Sequence, residues 1–332
     1  MKKNSVKIGI SLGDPAGVGP EVILKALENF HQSELVPVVC GRFEVIKKYY
    51  SSFVKDYSVI ESFGDIKSDV SQNKKYFFNI KSNDPVPRPG TGSRETGWES
   101  KTYIDKAVEM WKSGVVDAVV TGPVSKGFIE RPDFHFTGHT EYIAGLLNEK
   151  NPYMMMYSGF YRVILVTTHI PLAEVAPDIS RGKIYRTIIA GHDAIKAIDG
   201  GNVKLAITGL DPHCGDKGAF GSFDMDITGK AVEDARENGI DIDGPFAADT
   251  LFLPDKWKSY NLVIAHYHDQ GLIPFKVLAF DRGVNVTLGL SIVRTSPAHG
   301  TAFDIAGRGE ANHESMLRAI KLAGSLVRGK RK

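Results

Sequence analysis

The segment from Asn261 to Gly309 constrains the fold more than any other part of this sequence. Its apolar run Leu262–Ala265 predicts a short buried strand, and the polar run His266–Gly271 follows at once. Open α/β sheets place ligand-binding side chains just beyond the carboxyl ends of such strands. The segment therefore predicts an α/β fold with chemistry at this strand end.

The same pattern, a short apolar run followed by a polar or glycine-rich turn, recurs along the chain. It predicts strands at Val6–Ser11, Val115–Thr121, Tyr161–Thr168 and Val203–Thr208. A further run at Tyr153–Ser158 predicts an antiparallel hairpin around Gly159. Helical periodicity predicts helices at about 20–30, 93–113, 181–198, 225–238 and 314–327.

Composition narrows the class of protein. The chain has 332 residues, enough for two domains, with 42% hydrophobic and 24% charged residues. A net charge of +2 gives no reason to expect a nucleic-acid partner, and the basic tail 328–332 is interpreted as solvated. The first eleven residues lack the apolar core of a signal peptide, and no run is long enough to span a membrane. Two cysteines without a CxxC motif fit the cytoplasm.

Three predicted strand ends carry a histidine: His169, His213 and His268. Three imidazoles leave a zinc-like ion one open position, where it can bind a substrate hydroxyl and lower its pKa. A lone histidine at a strand end is more often structural, and from the residues alone both interpretations stay open. Asp249 and Asp269 are candidates for a further ligand or for orienting the imidazoles.

Several cations and donors form a candidate anion site. Arg294 and Lys276 lie in the constraining segment, and His139 and Thr140 open a predicted helix. Together they suit a phosphate or carboxylate, although surface charge, or helix capping by Thr137, explains any one of them as well. The glycines of the opening loop 13–19 are spaced G-x3-G-x-G, which is not the dinucleotide fingerprint. A tight strand-to-helix turn is favoured there over an anion site.

These motifs, in this order, resemble the 4-hydroxythreonine-4-phosphate dehydrogenase family of vitamin B6 synthesis, which includes threonate and erythronate 4-phosphate dehydrogenase-like paralogues. The matching stretches are GDPAGVGPE, HTE, TTHIPL, DPHCGD, AADTLF, YHDQG, RGVNVTLGL, RTS and HGTAFDIAGRG. The resemblance covers about residues 6–327. It implies an isocitrate/isopropylmalate dehydrogenase-like α/β fold, with two domains around a cleft, and a homodimer that shares its active sites.

The resemblance also implies roles for individual residues. The implied metal ligands are His169, His213 and His268, and the implied dimer takes His169 and His213 from one subunit and His268 from the other. The implied catalytic residues are Lys276 and Asp249. The implied substrate-binding residues are His139, Thr140, Lys276, Asn285 and Arg294. The segment 299–312 resembles the cofactor loop of isopropylmalate dehydrogenases, which implies NAD contacts at His299, Gly300, Thr301, Asp304 and Asn312. Residues 211–216 and 221–224 depart from the usual family pattern.

The expected activity is oxidation of 4-phosphooxy-L-threonine to 2-amino-3-oxo-4-phosphooxybutanoate, which decarboxylates to 3-amino-2-oxopropyl phosphate. It would require NAD and a divalent metal, with zinc favoured over cobalt, manganese or magnesium. Alternatives are a dehydrogenase of a phosphorylated sugar acid or a dihydrodiol, a phosphate acyltransferase of the same fold, and a zinc hydrolase. We expect residues 1–122 with 270–332 to form a cofactor-side domain. Residues 123–269 would form a metal, substrate and dimerisation domain.

Overall fold

A computed structural model describes residues 5–28, 30, 34–68 and 74–331. Of the segments discussed above, the first four residues, residue 29 and Lys332 lie outside these ranges. The chain divides into two compact units, Met1–Lys150 with Leu290–Lys332, and Asn151–Gly289. The chain leaves the first unit after Lys150 and returns to it at Leu290. The domains predicted from the sequence, with boundaries at 122 and 270, stay a prediction.

The first unit contains a parallel sheet with the strand order β3-β4-β2-β1-β5-β12. Its central strands are apolar runs that are buried almost throughout, as expected for a parallel sheet covered on both faces. Ile10 of β1 is in register with Val39 of β2 and Val120 of β5. The strands are β1 Val6–Ser11, β2 Leu35–Gly41, β3 Tyr57–Ile60, β4 Lys75–Asn79, β5 Ala118–Thr121 and β12 Val293–Pro297.

The helices of the first unit begin and end as the sequence signals suggest. The long helix α4 starts at a capping box, in which the Ser93 side chain accepts from Thr96 N and the Thr96 hydroxyl accepts from Ser93 N. The helices are α1 Gly19–Glu28, α2 Phe43–Tyr49, α3 Phe63–Ser68, α4 Arg94–Lys112, α5 Lys126–Ile129, α6 His139–Leu147 and α13 Glu314–Lys330, with a 3₁₀ turn at Ser51–Asp56.

The second unit contains a mixed sheet with the order β11-β6-β7-β10-β8-β9. Strands β6 and β7 form the antiparallel hairpin that the sequence predicted, and β10 lies parallel between β7 and β8. The strands are β6 Tyr153–Tyr157, β7 Arg162–Leu165, β8 Lys204–Thr208, β9 Asp241–Phe246, β10 Leu262–Ala265 and β11 Val284–Leu288.

The helices of the second unit include one that the sequence did not predict. Helix α12 runs through Gly271 and Pro274, two residues that lower helix propensity. A Cβ on Gly271 would lie 2.7 Å from Leu165 Cδ2, so the glycine allows α12 to pack closely on β7. The helices are α7 Leu172–Asp178, α8 Arg181–Asp199, α9 Gly229–Glu237, α10 Ala248–Leu251, α11 Pro254–Trp257 and α12 His268–Ala279, with 3₁₀ turns at Pro212–Gly215 and Phe280–Arg282 and a π-helical turn at Asp224–Thr228.

Within the described ranges, none of the helices combines the length and the apolar character that a membrane crossing requires.

Candidate active site

Two of the predicted metal ligands lie side by side in the second unit. His169 follows β7 and His268 opens α12 directly after β10, and these two strands are parallel neighbours. The centres of the two imidazole rings are 5.7 Å apart. They line a cavity of about 280 Å³ together with Leu172 and Tyr267. The parallel strand ends therefore bring together residues that are far apart in sequence.

The local geometry of this pair suits a shared cation. Two imidazoles on one zinc ion, with Zn–N distances of about 2.0–2.1 Å, have ring centres roughly 5 Å apart. The Nδ1 atom of His268 lies 2.6 Å from Asp269 Oδ1. A carboxylate on Nδ1 fixes the ring orientation and the tautomer, which leaves Nε2 to bind a metal. The structure thus places the Asp269 carboxylate beside the His268 ring, and its role in orienting a metal ligand stays a prediction.

The third predicted ligand, His213, lies in a strained loop. Its 3₁₀ turn contains His213 and Cys214, both at φ 53°, in the left-handed region that L-residues rarely adopt. The His213 ring is 6.2 Å from the ring of Phe220, centre to centre. Among the described residues, no three His, Cys, Asp or Glu side chains are grouped closely enough to hold a metal ion. One chain therefore presents a histidine pair and a separate third histidine.

A buried carboxylate holds the loop that carries His213. Asp224 accepts hydrogen bonds from the backbone N–H of Leu210 at 2.9 Å and of Asp211 at 2.9 Å. It also accepts from the Thr228 hydroxyl at 2.8 Å. Asp224 is only 1% exposed, so these donors replace its water shell. Sequence reasoning marked residues 221–224 only as a departure from the family pattern, because the partners lie on another part of the chain.

His266 connects this carboxylate to the strand end that carries His268. Its fully buried ring lies between the hydroxyls of Thr208, 3.3 Å from Nδ1, and Thr228, 3.1 Å from Nε2. Burial lowers the pKa of His266 to about 4, so the ring is neutral near pH 7. Gln270 completes the network, since its Oε1 accepts from His266 N at 2.7 Å. No local pattern in the sequence indicated these contacts.

Asp249, a predicted catalytic residue, lies in the first turn of α10. Its Oδ1 accepts from the backbone N–H of Thr250 at 2.8 Å. Burial, followed by the charges of Asp224 and Asp249, raises the pKa of the Cys214 thiol to about 11. Asp249 therefore belongs to the surroundings of the His213 loop.

Lys276 and Asn285 occupy other elements of the second unit. Lys276 lies on α12 and its side chain is exposed. Asn285 lies in β11, and its Oδ1 atom is buried without a hydrogen-bond partner. A buried acceptor without a donor costs free energy, so this oxygen is suited to receive a ligand hydrogen bond.

In the first unit, the predicted anion-binding residues His139 and Arg294 lie close enough to interact electrostatically. Burial, then the Arg294 charge, lowers the pKa of His139, and the ring is neutral at pH 7. Its Nε2 atom is buried and has no hydrogen-bond partner. Burial lowers the pKa of the Arg294 guanidinium to about 9, and its Nη2 donates to Thr121 Oγ1 at 2.6 Å. A dianion bound here would place negative charge beside this buried guanidinium.

Helix α6, which carries His139 and Thr140, begins at Gly138 with no side-chain cap. The capping role considered for Thr137 is therefore not found. Lys126 was missed by the sequence reasoning, although its charge acts on His139. Its Nζ would lie 3.4 Å from a Cβ at Gly138, so it faces the start of the same helix.

The predicted cofactor loop, residues 299–312, is irregular between β12 and α13. His299 Nδ1 lies 3.0 Å from Gly300 O, and its Nε2 is buried without a hydrogen-bond partner. Asp304 is exposed, and Asn312 Oδ1 accepts from Glu314 N at 2.9 Å. Of the side chains that the resemblance assigned to the cofactor, those of Asp304 and Asn312 are exposed, and those of His299 and Thr301 are half-buried.

The opening loop 13–19 is a tight turn, as the sequence favoured. A Cβ on Gly19 would lie 2.3 Å from Leu12 O, so the chain's own backbone fills the space at the start of α1. Asp14 is fully buried and accepts from Ala16 N at 3.0 Å and from the Thr96 hydroxyl at 3.2 Å. Burial raises its pKa to about 6.

Comparison with known proteins gives a consistent family. Residues 33–323 match the family model described as "Pyridoxal phosphate biosynthetic protein PdxA". The chain is 38% identical to a 4-hydroxythreonine-4-phosphate dehydrogenase of Desulforapulum autotrophicum, over 97% of this chain and 96% of that protein. It is 33% identical to a protein of Bradyrhizobium diazoefficiens provisionally named a D-threonate 4-phosphate dehydrogenase, over 97% of both chains.

Solved structures of proteins with the same and related names are also similar to this chain. The crystal structure of 4-hydroxythreonine-4-phosphate dehydrogenase from Klebsiella pneumoniae has a TM-score of 0.83 and 32% identity, covering 98% of both chains. A terephthalate 1,2-cis-dihydrodiol dehydrogenase of Burkholderia xenovorans has a TM-score of 0.69 and 25% identity, covering 97% of this chain and 98% of the other. A β-decarboxylating dehydrogenase of Thermococcus kodakarensis, at 15% identity and a TM-score of 0.51 over 96% of this chain and 81% of the other, shares the fold alone. The predicted fold class is confirmed.

Proposed function

The chain belongs to the PdxA family of pyridoxal phosphate biosynthetic proteins, and on that premise we propose that it oxidises 4-phosphooxy-L-threonine with NAD. C3 loses its hydrogen as hydride to the nicotinamide, and the C3 hydroxyl loses its proton to a base. The resulting 2-amino-3-oxo-4-phosphooxybutanoate loses carbon dioxide to give 3-amino-2-oxopropyl phosphate. The main support is similarity over the whole chain to relatives named for this activity.

The phosphate is assigned to His139, Thr140 and Arg294. The carrying observation is the buried His139 Nε2 without a partner beside a desolvated guanidinium. Charge-assisted hydrogen bonds from the Arg294 guanidinium are roughly twice as strong as neutral ones, and Arg can bind two phosphate oxygens at once. Asn285, with its unpartnered Oδ1, and Lys276 are assigned to the rest of the substrate.

A divalent ion is assigned to His169, His213 and His268. When bound, it would lower the pKa of the substrate hydroxyl and polarise the carbonyl that forms. The spacing of His169 and His268 suits two ligands of one ion, and Asp269 orients the second ring. His213 and Asp249 would supply the other half of the coordination from a second copy of the chain. Zinc is favoured by the imidazole ligands.

A homodimer is supported by exposed apolar side chains near both half-sites, where one half-site is the pair His169 and His268 and the other is His213 with Asp249. Leu172, 71% exposed, lines the cavity of His169 and His268, and Phe220, 56% exposed, lies beside His213. On α12, Ile273 and Val277 form one face and are 61% and 81% exposed. Large exposed apolar side chains of this kind mark protein interfaces, and a second copy with a self-complementary surface would bury them.

NAD is assigned to the loop 299–312, with His299, Gly300, Thr301, Asp304 and Asn312 as contacts. An acidic side chain at the adenosine ribose accepts hydrogen bonds from its two hydroxyls. Exposed Asp304 is suited to this task. Lys276 is assigned to moving the hydroxyl proton, and Asp249 to assisting at the metal. Both described cysteines are free thiols, which fits a cytoplasmic enzyme.

The test is a substrate panel with zinc-loaded enzyme and NAD, with NADH followed at 340 nm. The panel pairs 4-phosphooxythreonine with hydroxythreonine, and erythronate and threonate 4-phosphates with the free sugar acids. We expect the amino phosphate to have the highest kcat/KM. Activity on the sugar-acid phosphates alone would favour the second candidate, which relatives named D-threonate 4-phosphate dehydrogenase support. NADH formation from none of the compounds would contradict the proposal.

A further inference from the structure

The opening loop and α1 contact the predicted cofactor loop directly, although the proposed function gives them no role. Val18 N donates to Thr301 O at 2.9 Å. A Cβ on Gly17 would lie 3.0 Å from Thr301 O, so any larger residue would push the cofactor loop away by a few tenths of an ångström. The first residues of the cofactor loop are therefore held against the opening turn.

The far end of the same loop is held by two side chains of α1. Glu21 Oε1 accepts from Ala311 N at 2.9 Å, and its Oε2 accepts from Gly309 N at 3.2 Å. Lys25 Nζ donates to the carbonyl oxygens of Gly309, at 2.6 Å, and Ala311, at 3.2 Å. The two side chains also pair with each other at 2.8 Å. The acid and the base thus satisfy both the donors and the acceptors of residues 309 and 311.

The loop's own hydrogen bonds along 302–308 are turns, from Ile305 N to Ala302 O and from Arg308 N to Ile305 O, both at 3.2 Å. Gly307 and Gly309 both have φ 76°, and residues 302–308 have no strand partner. Glycine in this region loses more conformational freedom on ordering than any other residue. Glu21 is only 3% exposed, whereas the Lys25 side chain is 25% exposed. The buried Glu21 carboxylate therefore holds the loop, and the partly exposed Lys25 covers it on the solvent side.

We propose that Glu21 and Lys25 are positioning residues for the dinucleotide, acting through the loop 299–312. This role rests on the proposed function, since it assumes that the loop binds NAD. It also explains the opening motif as a support for the cofactor loop rather than an anion site. The hydrogen bonds that the pair makes with the loop go to the loop backbone, so the pair should affect NAD binding while leaving the residues assigned to the hydroxy acid and the metal unchanged.

The test compares Glu21→Gln and Lys25→Met with the wild type as zinc-loaded enzymes. A glutamine keeps the shape of Glu21, but its amide nitrogen cannot accept from a backbone N–H. We expect the Kd and the KM for NAD to rise roughly tenfold, about the effect of losing one charge-assisted hydrogen bond. The KM for 4-phosphooxythreonine and kcat at saturating NAD should change less than about twofold. Amide hydrogen exchange at 302–308 should become faster.

Two further variants separate positioning from general stability. Glu28→Gln changes an exposed acid of the same helix and should match the wild type, and Lys25→Arg keeps the cation and should recover most of the NAD affinity. If Glu21→Gln does not fold, the more exposed Lys25→Met carries the test. Unchanged NAD binding in Lys25→Met, or equal losses for NAD and hydroxy acid, would overturn the role. A wild type that binds no NAD would overturn the proposed function itself, and this role with it.

Discussion

The loop that carries His213 and the loop 299–312 both leave regular structure, and each is held by a buried carboxylate. Asp224 accepts from the N–H groups of Leu210 and Asp211, and Glu21 accepts from those of Gly309 and Ala311. The same device therefore fixes the predicted metal-binding loop in one unit and the predicted cofactor loop in the other.

The two loops differ in how their charge and strain are balanced. Glu21 is paired with Lys25, whereas the partners of Asp224 in the structure are N–H and O–H groups beside a neutral His266. The cofactor loop has one non-glycine residue at positive φ, Ala302, whereas the His213 loop has four: His213, Cys214, Asp216 and Lys217. Such non-glycine residues cost of order 1 kcal/mol each. The His213 loop therefore stores more strain and is held by one acid, while the cofactor loop stores less strain and is held by an acid and a base.

The largest expected effect is on enzyme activity, and it depends on which histidines of one subunit contribute to the same active site. His213→Ala and His268→Ala, each inactive alone, should regain activity when mixed, because one site of the mixed dimer is then intact. The resemblance groups His169 with His213, but the structure places His169 beside His268. His169→Ala mixed with His268→Ala should then stay inactive, since both lost ligands come from one half-site.

Subunit exchange is verified by tagging the two variants and isolating the mixed dimer before assay. Recovery by the His169→Ala and His268→Ala pair would restore the grouping that the resemblance implied. No recovery by the His213→Ala and His268→Ala pair would mean that each chain completes its own site.

The next effect concerns the acid of the strained loop. Asp224→Asn keeps the size of the side chain but replaces one acceptor oxygen by a donor, so the N–H groups of Leu210 and Asp211 lose a partner. We expect zinc affinity to fall about 10–100-fold, as for other groups that orient metal ligands. Competition with a fluorescent chelator measures it. Asp226→Asn, an exposed acid on the same turn, is the control, and equal affinity in both variants would contradict the role of Asp224.

A smaller effect concerns the choice of cofactor. Asp304→Asn should narrow a preference for NAD over NADP, because a carboxylate favours the two ribose hydroxyls and repels a 2′-phosphate. The measurement is the ratio of kcat/KM for the two cofactors in the wild type and the variant. A wild type without preference would remove Asp304 from the ribose site.

The smallest effect concerns the turn beneath the cofactor loop. The pKa of Asp14 is raised to about 6 in the folded chain, so between pH 4 and 6 the folded state binds more protons than the unfolded state. Stability should therefore fall as pH rises through this window, by up to about 3 kcal/mol, and level off above it. Asp14→Asn should remove the slope, while the exposed Asp255→Asn keeps it. Urea unfolding at pH 4 and pH 7 gives the comparison, and parallel curves for all three proteins would refute the assignment.

The sequence predicted the elements whose signals are local. Apolar runs located β1, β5, β8 and β10, and glycine with alternating residues located the β6–β7 hairpin. Helix α12 was missed because Gly271 and Pro274 oppose a helix locally, and only packing on β7 favours it. The strand-end histidines could be named because strand ends are visible in the sequence. Asp224, His266 and Glu21 could not, because their partners lie on distant segments and a buried acid looks like a surface acid in sequence.

We expect Asp224 to support zinc binding and Glu21 to support NAD binding, each without affecting the other ligand, and one paired measurement tests this most directly. Zinc affinity and NAD affinity are determined on the same preparations of Asp224→Asn and Glu21→Gln. The expected result is that Asp224→Asn loses zinc affinity and keeps NAD affinity, while Glu21→Gln keeps zinc affinity and loses NAD affinity. Equal losses of both ligands in either variant would contradict it.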